Sequence, residues 1–254
     1  GESVPTWFKF PRNCRHAPWL HSSLKPFVII MQTIRVWDLP TRLFHWLLAA
    51  AVVGLVITAN VGGNWMNWHL RLGYAVLTLL LFRLVWGFVG GHWSRFGSFL
   101  YAPSSVLAYL RGRPEPEHRV GHSPLGALSV FALLLILLAQ VTSGLMTDDE
   151  IAFFGPLVRF VSGDTVALAT SYHKNVGKFI VIALVVLHVA AIAFYKWVKK
   201  DNLVRPMVVG DKQMAASLKV PQARDSLASR VLALMVLAVC GGAVAWLVQL
   251  GAAF

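Results

Sequence analysis

The sequence predicts an all-α integral membrane protein: a four-helix transmembrane bundle with a fifth transmembrane helix at the C-terminal end. Three observations predict it. The 254 residues are 57% hydrophobic and only 13% charged, where soluble domains are about a quarter charged. Mean hydropathy is +0.63. Five stretches hold about 20 mostly apolar residues, the length a helix needs to cross the hydrocarbon core. Length and continuity favour helices over barrel strands.

The elements follow in order. Residues 1–30, GESVPTWFKFPRNCRHAPWLHSSLKPFVII, are basic, aromatic and proline-containing, with no apolar run long enough for a signal-peptide core. They are expected to be a non-native or extended N-terminus, with Met31 as the natural start. The spans are expected at 43–61 (LFHWLLAAAVVGLVITANV), 69–90, 123–145, 172–195 and 230–250. The first four form the core, within residues 31–200. A basic, amphipathic cytoplasmic linker fills 201–229, and residues 230–254 carry the fifth span. Two long loops join the core. Loop 91–122 contains FGSFLYAPSSVLAYLRGR, which suits an amphipathic surface helix. Loop 146–171 contains IAFFGPLVRFV, expected as a short interfacial helix.

Charge gives the orientation. With the N-terminus inside, the inner segments hold 18 of the 23 Lys and Arg residues. The outer loop holds Arg159 with Asp148, Asp149, Glu150 and Asp164. This bias places the N-terminus on the inner, cytoplasmic side of the membrane and the C-terminus on the outer side. It also sets aside a nucleic-acid partner, despite the net charge of +12: the cations are topological anchors beside membrane lipid.

The histidines carry the chemistry. His92, His118 and His122 lie in or beside the inner loop and read as solvated or interfacial. His45, His69, His173 and His188 lie in or at the rims of apolar spans, where an ionisable ring is expensive. At about 1.5 Å per residue, His188 lies roughly 22 Å deeper than His173 on the same helix and about 60° round it. The four sort into two levels: His69 with His173 outside, His45 with His188 inside. Two facing imidazoles per level, from different helices, are what bis-histidine haem ligation requires, and a bundle core is where such a cofactor sits. Small residues one turn away, Gly73 after His69 and Gly177 after His173, leave room for a flat macrocycle, although small residues also serve helix contacts. Arg83 falls about 21 Å below His69, at the inner level. Arg71, Lys174 and Lys178 gather at the outer level. These cations suit haem propionates or a quinone head group, with snorkelling to the interface as the alternative. Zinc would want four ligands in one tetrahedron. The cysteines, Cys14 and Cys240, form no C-x-x-C-H motif for covalent haem attachment.

RVWDLPTRLFHWLL, GGNWMNWHLRLGY, LLFRLVWGFVGG and HKNVGK…VVLHVAAIAFY resemble, in that order, the bacterial cytochrome b561 family, which includes the membrane cytochrome b subunits of nickel–iron hydrogenases. The resemblance covers about residues 33–210. It implies a four-helix core with two b-type haems and electron transfer involving the quinone pool. On this matching His45, His69, His173 and His188 fall on the family's ligand positions. Relatives are expected to carry His-Glu where this chain has His173-Lys174.

The expected function is therefore that of a membrane di-haem cytochrome moving electrons between the quinone pool and a periplasmic redox partner, such as a c-type cytochrome or a hydrogenase-like subunit. It is an electron-transfer component rather than a stand-alone bond-making enzyme. A quinone is a further candidate cofactor, and a homodimer is compatible with the sequence. Two alternatives stand beside it: a superoxide:quinone oxidoreductase working at the outer haem, with Arg71, Lys174 and Lys178 as an anion funnel, and a non-redox scaffold or transporter with packing histidines.

Overall fold

The computed structural model describes residues 31–113, 115–217 and 220–252. The reading of residues 1–30 as an extension falls outside them. In chain order the elements are β1 (Met31–Arg35), α1 (Leu39–Val61), α2 (Met66–Val89), α3 (Pro103–Leu110), α4 (Pro124–Gly144), α5 (Gly163–Tyr172), a π-helical turn (His173–Gly177), α6 (Lys178–Trp197), α7 (Val204–Val209), β2 (Asp211–Ala215) and α8 (Leu227–Ala252). Among the described residues, five helical stretches are long and apolar enough to cross a membrane: Leu39–Val61, Gly63–Val89, Pro124–Gly144, Gly163–Trp197 and Leu227–Gly251.

Local chemistry sets the helix limits. Asp38 caps α1, its carboxylate accepting from Thr41 N–H at 2.8 Å, and Pro40 sits in the first turn where its missing N–H is harmless. Gly62, at φ +69°, ends that helix. Ser123 and Pro124 open α4 in the same manner. Ser162 caps α5, and Asp164 in the first turn suits the positive end of the helix dipole.

That cap corrects the expected fourth span. The helix does not begin at residue 172; it runs continuously over 35 residues from Gly163. Residues 163–171, GDTVALATS, are too polar to register in a hydropathy reading, yet they are well capped. The expected interfacial helix in IAFFGPLVRFV is also corrected. Gly155 and Pro156 interrupt it, and only the single turn Val158–Phe160 forms. The inner-loop helix is present but short, as α3.

The main core joins α1, α2, α4 and α8 through Phe44, Ala51, Val76, Leu80, Trp86, Leu134, Leu137, Val141, Ala233, Cys240 and Val244. The fifth span thus packs directly on α2. Helix α6 gives this core one buried residue, Val181. It packs mainly on α4.

One end of the bundle, here the basic face, gathers the start of α1, the ends of α2 and α6, and the starts of α4 and α8. A small platform covers it. Strands β1 and β2 pair antiparallel from Met31↔Ala215 to Arg35↔Asp211. Arg35 bridges Asp211 at 2.8 Å and Asp225 at 3.1 Å. Burial pushes the Asp225 carboxyl pKa up, but bonds from Arg230 and the Leu39 N–H, with the nearby Arg35 charge, leave it below the usual carboxylate range. Asp38 is fully buried. Besides Thr41 it accepts from Ser94 Oγ at 2.8 Å, Gly91 N–H at 3.1 Å and Trp86 Nε1 at 3.3 Å. A buried carboxylate is tolerable only when its lone pairs are so occupied. Gly91 is obligatory here, since a Cβ would come within 2.6 Å of Asp38 Oδ2.

Candidate functional site

The bundle brings the four span histidines together as two facing pairs. At the basic face His45 of α1 meets His188 of α6, ring centroids 6.4 Å apart and planes at 52°. At the opposite face His69 of α2 meets His173, centroids 6.2 Å apart and planes at 88°. Two imidazole nitrogens, each about 2 Å from a shared metal, set their ring centroids roughly 6 Å apart. Both pairs therefore fit a single six-coordinate iron lying between them. Among the described residues no three His, Cys, Asp or Glu side chains gather into a metal site, so each level offers one pair of imidazoles.

The two pairs are supported differently. His69 Nδ1 lies 3.1 Å from the Leu55 carbonyl oxygen and 3.3 Å from Thr58 Oγ1. His173 Nδ1 lies 2.8 Å from the Gln140 carbonyl oxygen. A carbonyl only accepts, so each Nδ1 carries the proton and each Nε2 lone pair is free to ligate. Both carbonyls come from a neighbouring helix, α1 for His69 and α4 for His173. At the basic face, His45 Nδ1 is buried with no hydrogen-bond partner.

His173 opens the π-helical turn in the fourth span. Such a turn inserts an extra residue into a helix and commonly marks a functional position. Here it turns the chain between α5 and α6, and the Gln140 side chain donates from Nε2 to the His173 carbonyl at 3.0 Å. Gly144 faces the imidazole, where a Cβ would come within 2.8 Å of His173 Cε1.

The cations and glycines singled out from sequence sit in different surroundings. Arg83 is only 3% exposed, its guanidinium 4.6 Å from the Phe96 ring centroid and its Nη1 without a partner. Arg71 is exposed and stacks on Trp68 at 5.3 Å. Lys174 is exposed. It lies near Asp149, whose carboxyl pKa is lowered first by three N–H groups, those of Phe153, Ala152 and Ile151, and then by the Lys174 charge. Lys178 rests over Phe179 at 4.7 Å. Gly73 has nothing within 4 Å of where a Cβ would stand. Gly177 is buried, and a Cβ there would run into Gln140 and Tyr172.

Of the histidines read from sequence as solvated or interfacial, His118 is buried and His122 is half-buried. His118 is 4% exposed, edge-on to Tyr101 and Tyr109. His122 lies between Trp37 and Phe99, ring centroids at 4.7 Å and 4.4 Å, with a buried, partnerless Nδ1. Burial among these aromatics, reinforced by the Arg83 charge, pushes its pKa down to about 3, so the ring is neutral. The one local hint was GHSP, which places His122 just ahead of a helix cap and so at the bundle's edge.

The comparisons with known proteins turn on the same stretch. Residues 36–210 match the family model described as prokaryotic cytochrome b561. The chain belongs to the prokaryotic cytochrome b561 family. It is 25% identical over 214 residues to a protein of Azotobacter chroococcum mcd 1 named "Probable Ni/Fe-hydrogenase B-type cytochrome subunit", covering 70% of this chain and 87% of that one. A protein of the same name in Bradyrhizobium diazoefficiens is 22% identical, covering 71% and 86%. The hydrogenase 1 counterpart in Escherichia coli K12 is 24% identical, covering 69% and 88%. No solved structure matches the chain at a significant level. As a cytochrome b561 the protein is a membrane b-type cytochrome of electron transport, and a b-type cytochrome implies haem b. The matched region spans β1's end to α7 and includes all four span histidines; α8 lies beyond it.

Proposed function

We propose that the protein is a di-haem cytochrome of the bacterial inner membrane that passes electrons between the quinone pool and a periplasmic redox partner of the hydrogenase type. The observation that carries this reading is the presence of two facing histidine pairs at ligand spacing, 6.4 Å and 6.2 Å between centroids, at opposite ends of one bundle. His45 and His188 hold one haem, His69 and His173 the other. Arg83 serves the first as counter-charge; Arg71, Lys174 and Lys178 serve the second, and Gly73 and Gly177 keep its surroundings small. The N-terminus is cytoplasmic and the C-terminus periplasmic, as the basic residues direct.

When bound, each haem supplies a one-electron iron couple; the rest is work of the chain. The helices set the two ligand levels about 22 Å apart along α6 and the π turn. The Leu55 and Gln140 carbonyls hold His69 and His173 in one tautomer and raise their basicity. With two histidines at each level holding it, each haem would have no open iron position and would supply electron transfer rather than bond-making. The hydrogenase-type partner is supported by the names of the relatives, the periplasmic side by the charge bias.

A redox titration of the purified protein with pyridine haemochrome quantitation tests the proposal. Two b-type transitions and two haems per chain are expected. Protein with no Soret band overturns it.

A further inference from the structure

We propose that Arg83 and His122 form a carboxylate clasp that binds a propionate arm of the macrocycle held by His45 and His188. This rests on the proposed function and goes beyond it by making His122 a haem-binding residue and by giving the basic-face site a second anchor.

The argument starts from unmet donors. A guanidinium carries five N–H groups and no acceptor. Arg83 is 3% exposed and its Nη1 has no partner. Burying a cation with an idle donor is costly unless an anion or acceptor reaches that donor. Its contact with Phe96 supplies a π face, not an acceptor. Asp38, the buried carboxylate of the same region, is already occupied by Thr41, Ser94, Gly91 and Trp86.

His122 repeats the pattern. Its ring is fixed by Trp37 and Phe99, and its Nδ1 is buried and partnerless. It comes from the loop before α4, whereas Arg83 comes from α2. The Arg83 charge bears on the His122 ring more than those of His188 and His45 do. Aromatic rings link them: Phe96 lies under Arg83 and against Phe99, which lies against His122. Gly87, one turn after Arg83, admits Phe96 by lacking a side chain; a Cβ there would overlap its ring.

Two converging donors, one cationic and one neutral, beside a histidine pair that suits a haem, ask for an anionic oxygen ligand. A b-type haem brings two carboxylates with it, so the ligand chemistry is present wherever His45 and His188 hold a macrocycle. Arg to carboxylate is the strongest pairing this site can make. His122 adds a directed neutral hydrogen bond.

The test uses the full-length haem-loaded protein and reads the midpoint potential of each centre, assigned with His45→Ala and His69→Ala variants. A cation beside an iron favours the reduced form. Arg83→Gln should therefore shift the basic-face couple toward oxidation by about tenfold, about 59 mV for a one-electron couple, while the other centre stays unchanged. Arg83→Lys should recover part of the shift. His122→Phe, which keeps the ring packing, should shift the same centre about threefold. If Arg83→Gln disturbs both centres, its fold has changed, and Arg83→Lys and His122→Phe decide. Haem-depleted protein reloaded with iron protoporphyrin dimethyl ester separates the propionate from any other anion. With both carboxylates blocked, the wild-type protein should hold the basic-face haem no better than Arg83→Gln does. Equal retention of esterified and free-acid haem by the wild type, or unchanged potentials in Arg83→Gln and His122→Phe, overturns the clasp. Wild-type protein without haem overturns the proposed function instead.

Discussion

The two histidine pairs stand at almost the same spacing, 6.4 Å and 6.2 Å, yet they are held by opposite means. His69 and His173 are tethered by backbone carbonyls of neighbouring helices, a support built from groups every helix has. His45 has no such tether. Its end of the bundle is stiffened instead by side chains: the buried Asp38 network, the Arg35–Asp225–Arg230 bridges, and the aromatic stack around Arg83 and His122. One site is oriented by its ligands' own second nitrogens, the other by a charged and aromatic surround. The difference teaches that equal spacing of two imidazole pairs does not mean equal surroundings, and under the proposed function it would give two haems different potentials. A carbonyl-anchored imidazole is more basic and favours the oxidised metal; a buried cation favours the reduced one.

The largest expected effect divides the pairs outright. His45→Ala and His188→Ala should each lose the same haem, and His69→Ala and His173→Ala the other, halving the haem-to-protein ratio by pyridine haemochrome. Loss of unlike pairs would break the comparison at its root.

Asp38→Ala comes next. It strands the donors of Trp86, Gly91, Ser94 and Thr41 in a buried place, at about 2–4 kcal/mol. Thermal unfolding in detergent should show it, with haem lost first from the basic-face centre. A centre-independent loss would mean the platform stiffens the whole bundle rather than one site.

Gly144→Ala probes the other end. The added methyl must push on the His173 imidazole, and overpacking of this kind costs about 1–3 kcal/mol. The His69–His173 centre should change its absorption and potential, and the basic-face centre should not.

The smallest effect concerns pH. The Asp225 carboxyl is held below its usual range in the fold. A depressed native pKa contributes stability that is complete above the unfolded value, about 3.9, and fades as pH falls through the native one. Asp225→Asn should lower the unfolding temperature slightly near neutrality and make it less sensitive to acid below about pH 4. Equal acid sensitivity in both proteins would show that the bridges around Asp225 do not contribute.

Much of this was legible in the residues. The five spans follow from apolar length, and only their ends moved. The fourth span was the exception, because GDTVALATS is helical by its cap and not by its hydropathy. The facing of His45 with His188 and of His69 with His173 follows from rise and rotation, which a helix imposes on any sequence. Arg83 was legible as a cation at the inner level for the same reason. The burial of His118 and the packing of His122 on Trp37 and Phe99 were not legible, because a loop histidine has no periodicity from which burial can be read.

By itself the sequence determined membrane spans, charge bias, family and the levels of the four histidines, since each depends on composition or on the fixed geometry of a single helix. Only the tertiary structure decided which imidazoles are tethered, where the fourth span takes its π turn, how β1 closes on β2, and that His122 comes in beside Arg83. These depend on which carbonyl, ring or glycine a neighbouring element presents. That is a property of packing between distant segments, as with Trp37, Phe99 and His122, and no local pattern encodes it.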